Sequence, residues 1–114
     1  MANYRTIKEL CSYKGYRIRR LHKDGEWYYF AGISDYELDN EIIKARSLKD
    51  IKKIIDSFDC FEFTVLLCGV ETNGTIKIYA SDKDAAYGEA LDYVGETLYK
   101  AFPTLDIEYG VEFV

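Results

Sequence analysis

The chain predicts an α+β fold: a two-layer sandwich of one mainly antiparallel five-stranded sheet with two main helices on one face, in the order (α)ββα-ββαβ. Three observations carry this expectation. Phe61, Phe63, Val65 and Leu67 alternate with Glu62, Thr64, Leu66 and Cys68, and Ile76, Ile78 and Ala80 alternate with Lys77 and Tyr79. That period of two marks strands, and Asn73-Gly74 between them supplies the positive-φ pair of a type I′ hairpin turn. Residues 47–58 and 81–102 carry apolar positions at helical spacing behind serine caps. Strands outnumber helices, and each main helix has a single apolar stripe, so the helices cover one face of a sheet.

In chain order, Thr6-Ile7-Lys8-Glu9 reads as a capping box, followed by Ile7, Leu10 and Cys11 on one helical face and a stop at Gly15. A short first helix is expected there, with an extended arm as the alternative. Tyr16 to Leu21 and Glu26 to Ile33 form a hairpin turned at Asp24-Gly25, in a loop that takes in His22 and Lys23. Arg20-Leu21 breaks the alternation and suggests a bulge or early fraying. Residues 34–46 read as an acidic loop, with Ile42-Ile43 able to add a short edge strand. Ser47 caps the next helix, whose stripe is Leu48, Ile51, Ile54, Ile55 and Phe58.

After the central hairpin, Ser81-Asp82-Lys83-Asp84 opens a long helix with Leu91, Val94, Leu98, Ala101 and Phe102 toward the core. Gly88 and Gly95 each cost about 1 kcal/mol against alanine in a helix interior, which a close approach to the sheet would offset. Pro103 ends the helix. Leu105, Ile107, Tyr109, Val111 and Phe113 then alternate with Asp106, Glu108, Gly110 and Glu112 as a last strand, expected beside residues 61–71 and antiparallel to them.

Length and composition set the broad class. At 114 residues, 48% hydrophobic and 31% charged, the chain suits one globular domain, 1–114, and argues against disorder. The longest apolar run, Val65 to Val70, is broken by glycine and far short of the ~20 residues of a membrane span. The N-terminus carries charge where a signal peptide needs an apolar core, so the cytoplasm is the expected compartment. Cys11, Cys60 and Cys68 form neither a C-x-x-C pair nor a zinc set, and read as reduced thiols, at least two of them in the core.

Several chemistries find no support. His22 is the one histidine, in a loop, with no nucleophile in a recognisable context. Neither phosphate-cradling glycine motif occurs. Asp35, Glu37, Asp39 and Glu41 have half the spacing of a calcium loop, but Asn40 and Arg46 stand where it needs glycine and glutamate. No cofactor, metal or enzymatic activity is expected.

Charge is distributed unevenly. Residues 1–53 hold twelve Lys and Arg against eight Asp and Glu, whereas residues 54–114 hold three against twelve, for a net −5. Two binding expectations follow. In the first, Glu89, Asp92 and Glu96 make one helical stripe with Tyr93 and Tyr99 at its borders, and Asp106, Glu108 and Glu112 add the exposed side of the last strand. Carboxylates so spaced can imitate DNA phosphates and attract a protein with a basic surface. The bland reading is a soluble acidic face. In the second, Arg17, Arg19, Arg20 and Lys23 beside Trp27 and Tyr28 supply the ingredients of a nucleic-acid surface, against the sequence pI near 4.9. Those arginines can equally pair with acids of the second half. A tyrosine-rich open sheet face would also suit a homodimer.

The stretch YKGYRIRRLHKDGEWYYFAG followed by ARSLKDIKKIID resembles the hairpin-then-helix opening of many small uncharacterised phage and mobile-element proteins. It covers the first half of the chain. The resemblance implies a cytosolic accessory protein, of a kind that often inhibits host defence, and it transfers no functional residue.

Overall fold

The computed structural model describes residues 8–114. The chain is mixed α+β, in two compact units, Met1–Ser57 and Phe58–Val114. The first holds β1 (Lys8–Tyr13), β2 (Tyr16–Lys23), β3 (Glu26–Gly32), α1 (Asp35–Asp39), β4 (Ile43–Ala45) and α2 (Leu48–Asp56). The second holds β5 (Asp59–Leu67), β6 (Val70–Ala80), α3 (Lys83–Ala101) and β7 (Tyr109–Phe113). The expected single five-stranded sheet is replaced by two antiparallel sheets, ordered β1-β2-β3-β4 and β6-β5-β7. The reason is local supply. β1 and β4 pair both outer edges of the first hairpin, so its backbone groups need no strand from the second.

β1 corrects the expected first helix; its Thr6 cap lies outside the described residues. Lys14-Gly15 has φ of 50° and 85°, the pair of positive values that a type I′ turn requires. A glycine that could end a helix instead reverses a hairpin. Asp24-Gly25 repeats this geometry with φ of 53° and 80°, as the sequence predicts. β2 nevertheless runs through His22 and Lys23, which are paired rather than looped.

No register shift interrupts β2 and β3, so Arg20-Leu21 is not a bulge. Strict alternation puts Tyr16, Ile18, Arg20 and His22 on one face with Ala31, Tyr29 and Trp27. Arg17, Arg19, Leu21 and Lys23 share the other with Phe30, Tyr28 and Glu26. Each face has its own helix, and the two main helices, α2 and α3, belong to different units with separate sheets, which corrects the expectation that they share one face of one sheet. α1 seats Leu38 against Leu21 and Phe30. α2 lies on the Tyr13 side, where the Tyr13 hydroxyl donates to Asp56 at 2.6 Å and Lys14 pairs with the same carboxylate at 3.0 Å.

α1 replaces most of the expected acidic loop because its ends are well satisfied. Ser34 Oγ accepts from the Glu37 amide, and the buried Glu37 carboxylate accepts from the Ile33 amide at 2.8 Å. Gly32 permits the close approach: a Cβ there would stand 2.8 Å from Glu37 Cβ. α2 follows the sequence in its Ser47 cap, whose Oγ accepts from the Asp50 amide, and in burying Ile51 and Ile55, but Ile54 of the expected stripe is exposed and Phe58 lies past the helix end.

In the second unit the hairpin turns at Cys68-Gly69, with φ of 52° and 75°, and not at Asn73-Gly74. A turn at Asn73-Gly74 would set Leu67 opposite Ala80 and leave residues 59–66 to run past the end of β6. The observed register pairs Phe63 with Ile76 and Asp59 with Ala80, using all of β5. Thr72 to Gly74 then bulge opposite Val65. Thr72 Oγ1 holds the bulge by donating to the Val65 carbonyl at 2.7 Å and accepting from the Gly74 amide.

β7 pairs with β5 as expected, although it begins at Tyr109 instead of Leu105. α3 is capped by Asp82, not Ser81, through a 2.8 Å bond from the Ala85 amide. Ala86, Ala90 and Val94 are its buried residues, whereas Ala101 and Phe102 are exposed. Phe102 is already a non-helical cap and leaves the stripe. Phe63, Phe113 and Tyr87 cluster beneath it, with Phe63 and Phe113 ring centroids 4.6 Å apart. Gly95 meets the sheet: a Cβ there would stand 2.8 Å from Tyr109 Cζ, whereas Gly88 has nothing within 4 Å. Cys60 and Cys68 are exposed and Cys11 half-buried, all free, so the expected core role of two thiols does not hold.

Two predictions follow from this packing. Gly95→Ala should destabilise the fold by about 1–3 kcal/mol through overpacking against Tyr109, while Gly88→Ala should stabilise it by up to ~1 kcal/mol. Urea denaturation of both variants checks the opposite signs. The second concerns Asp56, whose carboxyl is held below its usual range by the bonds from Tyr13 and Lys14, while the same Tyr13–Asp56 bond raises the Tyr13 hydroxyl. Asp56 therefore contributes stability above the usual carboxylate range that is lost as pH falls through its lowered value. Tyr13 contributes below its usual 10.0 and loses that contribution as pH rises through its raised value. Asp56→Asn should be less stable than the parent near neutrality, and the gap should close in acid, as read by denaturation at about pH 7 and about pH 2.

Candidate functional site

The basic aromatic set is divided by the sheet that carries it. Arg17, Arg19, Lys23 and Tyr28 lie on the α1 side, and Arg20 and Trp27 on the other. Arg17 is committed to structure: its guanidinium donates to the Ile33 carbonyl at 3.2 Å and to Asp35 at 3.0 Å, clamping the start of α1. These six residues therefore make two surfaces. Alternation was available in the sequence to separate them, but the assumed break at Arg20-Leu21 hid it.

On the α2 side, at the Asp24-Gly25 end of the hairpin, Arg20, His22 and Trp27 form one group. The Arg20 guanidinium carbon is 4.4 Å from the Trp27 ring centroid, and the His22 ring is 4.7 Å from it. His22 is directly across from Trp27, and Arg20 is its diagonal neighbour, the two positions from which long side chains can reach an aromatic. Trp27 remains 47% exposed.

On the α1 side a cleft of about 460 Å³ is lined by Lys23, Asp24, Glu26, Tyr28, Glu41, Lys44, Ala45 and Arg46. Its charges are largely spent on one another. Arg46 pairs with Glu26 at 3.0 Å, the Tyr28 hydroxyl donates to Glu41, and Lys44 Nζ lies 5.6 Å from the Tyr28 ring centroid. Glu41 has φ of 49°. It occupies the position just after α1 where glycine normally stands, with its own amide bonded to Leu38 and that of Ile42 to Glu37. No sequence signal marks a glutamate for left-handed backbone.

The acidic set is divided as well. α3 presents Tyr87 and Gly95 to the sheet, so at about 100° per residue Glu89, Asp92 and Glu96 point away from it. Glu112 alternates with Val111 and Phe113, which face α3, and so lies on the opposite side of the sheet; Asp106 and Glu108 precede β7 in an irregular segment. The α3 trio and the C-terminal trio do not form one face. Asp92 is exposed, Glu89 and Glu96 are half-exposed, and all three are engaged in interactions. Tyr93 and Tyr99 flank them, the latter 70% exposed.

Charge follows the two units closely. Residues 1–57 carry twelve Lys and Arg against nine Asp and Glu, and residues 58–114 three against eleven. Among the described residues, no group of His, Cys, Asp and Glu is placed to hold a metal ion. Among them, too, no helix is long and apolar enough to cross a membrane. Searches of protein-family models, curated proteins and solved structures gave no significant match to the chain.

The Tyr28–Glu41 bond offers a direct test of what holds Glu41 in its unusual backbone. Tyr28→Phe should cost about 0.5–1.5 kcal/mol in the parent and nearly nothing in a Glu41→Gly background. Glu41→Gly alone should stay within ~1 kcal/mol of the parent, because relief of the left-handed residue offsets the lost bond. A double-mutant cycle by chemical denaturation reads both.

Proposed function

We propose that this chain is a non-enzymatic protein-binding module, an accessory protein or inhibitor that takes a basic protein surface on α3. The observation that supports this is the outward face of that helix: Glu89, Asp92 and Glu96 on one stripe, with exposed Tyr93 and Tyr99 beside them, in a unit eight charges negative. Tyrosines supply apolar contact at low entropic cost, and carboxylates steer a basic partner into register. The Asp106, Glu108 and Glu112 group lies on another side and is not needed for this reading. An acidic stripe of this kind imitates one run of DNA phosphates, which suits an anti-defence protein from a phage or mobile element.

Retention of proteins from the native host on the immobilised chain tests the proposal. Partners should elute with competing duplex DNA, and Glu89→Lys, Asp92→Lys and Glu96→Lys combined should abolish their retention while circular dichroism stays unchanged. Retention that survives both the competitor and the charge reversal would sink the idea.

A further inference from the structure

The Arg20–Trp27–His22 group belongs to the other unit and needs its own explanation. Trp27 is the only tryptophan in the chain, and nearly half of its surface is left in water on an open part of a sheet face. A guanidinium covers part of the ring. Arg20 Nε is buried there without a hydrogen-bond partner, and no carboxylate among the described residues pairs with Arg20. Desolvating a charged donor without a partner is unfavourable, so stability alone does not account for the arrangement. Arg17, three residues earlier and on the opposite face, shows the contrast: both of its contacts serve α1.

We propose that Trp27, backed by Arg20 and His22, is a stacking platform for a base of single-stranded nucleic acid. Each component matches a part of that ligand. The indole face takes a base by stacking, a contact that tolerates any base because every base has a π-face. The Arg20 cation, with no described carboxylate paired to it, attracts the adjoining phosphate and can itself stack. His22 supplies a second aromatic surface directly across the strand pair. Arg20 is the one cation stacked on Trp27 among the described contacts, on a chain of net charge −5, which suits one or two nucleotides of a flexible strand and not the dense phosphates of a duplex. Duplex bases, moreover, have their faces buried in their own stack. This surface is independent of the α3 reading, and either can fail alone.

The full chain carries its own probe. Because Trp27 is the sole tryptophan, its emission reports only on this site. Titration with short oligouridine and, separately, short oligothymidine at about 50 mM salt should quench it saturably, and a preference between the two identifies RNA or DNA as the natural source. Affinity for a labelled strand, read by anisotropy, should fall about 10-fold or more in Trp27→Ala and stay within ~3-fold in Trp27→Phe, which keeps the stacking face. Arg20→Gln should weaken binding and lower its salt dependence by about one phosphate, with Arg20→Lys intermediate. Circular dichroism of each variant separates loss of the site from loss of the fold. The proposal is overturned by an absence of quenching with either strand, by duplex binding as tightly as single strand, or by unchanged affinity in folded Trp27→Ala or Arg20→Gln.

Discussion

The unbroken pairing of β2 with β3 is the constraint on which the first unit depends. A side-chain period of two means that one shift in register would exchange every residue between faces. Held in register, β2 sends Tyr16 and Ile18 to one side and Leu21 to the other, and both sides then require a helix. α1 answers on the Leu21 side with Leu38, and α2 lies on the other, tied to Tyr13 through Asp56. The same pairing sends Arg17 to a structural duty at the start of α1 and Arg20 to the indole of Trp27. Three residues apart, two arginines acquire different roles from alternation alone.

The second unit is governed by aromatic packing under one long helix. Phe63 is wholly buried at the centre of β5 and meets Phe113 from β7 and Tyr87 from α3. Placing Phe63 opposite Ile76 fixes where the hairpin can turn, and the backbone at Cys68-Gly69 accepts that demand even though cysteine is a poor left-handed residue. Packing outweighs turn preference here, since a type I′ pair is worth less than burial of a phenylalanine at about 1.5–3 kcal/mol. Gly95 belongs to the same arrangement, because only the absence of a side chain lets the Tyr109 ring lie against the helix.

Much of the local structure was legible in the sequence. The Asp24-Gly25 turn, the Ser47 cap, the 48–56 helix and the long helix follow from periodicity and cap chemistry, and the pairing of the last strand with the 61–71 strand, seen at residues 63–67, from the handedness of the crossover. What escaped were choices between equally good local answers. Gly15 could end a helix or turn a hairpin, and Asn73-Gly74 competed with Cys68-Gly69. Only pairing with distant strands decides such cases. For the candidate surfaces, residue types were legible and their grouping was not. Arg17 and Trp27 stand on different faces, as do Glu96 and Glu112, and contacts such as Tyr28 with Glu41 depend on a left-handed glutamate that composition does not announce.

The bulge at Thr72 to Gly74 has a consequence for how the molecule survives in a crowded solution. β6 is eleven residues long and forms an outer edge of its sheet, so a flat version of it would offer a long row of open donors and acceptors to any other extended chain. The bulge breaks that row close to the turn and adds local twist, confining the uninterrupted stretch of the edge to residues 75–80. An Asn-Gly pair that reads as a turn instead shortens the regular edge on which another strand could pair.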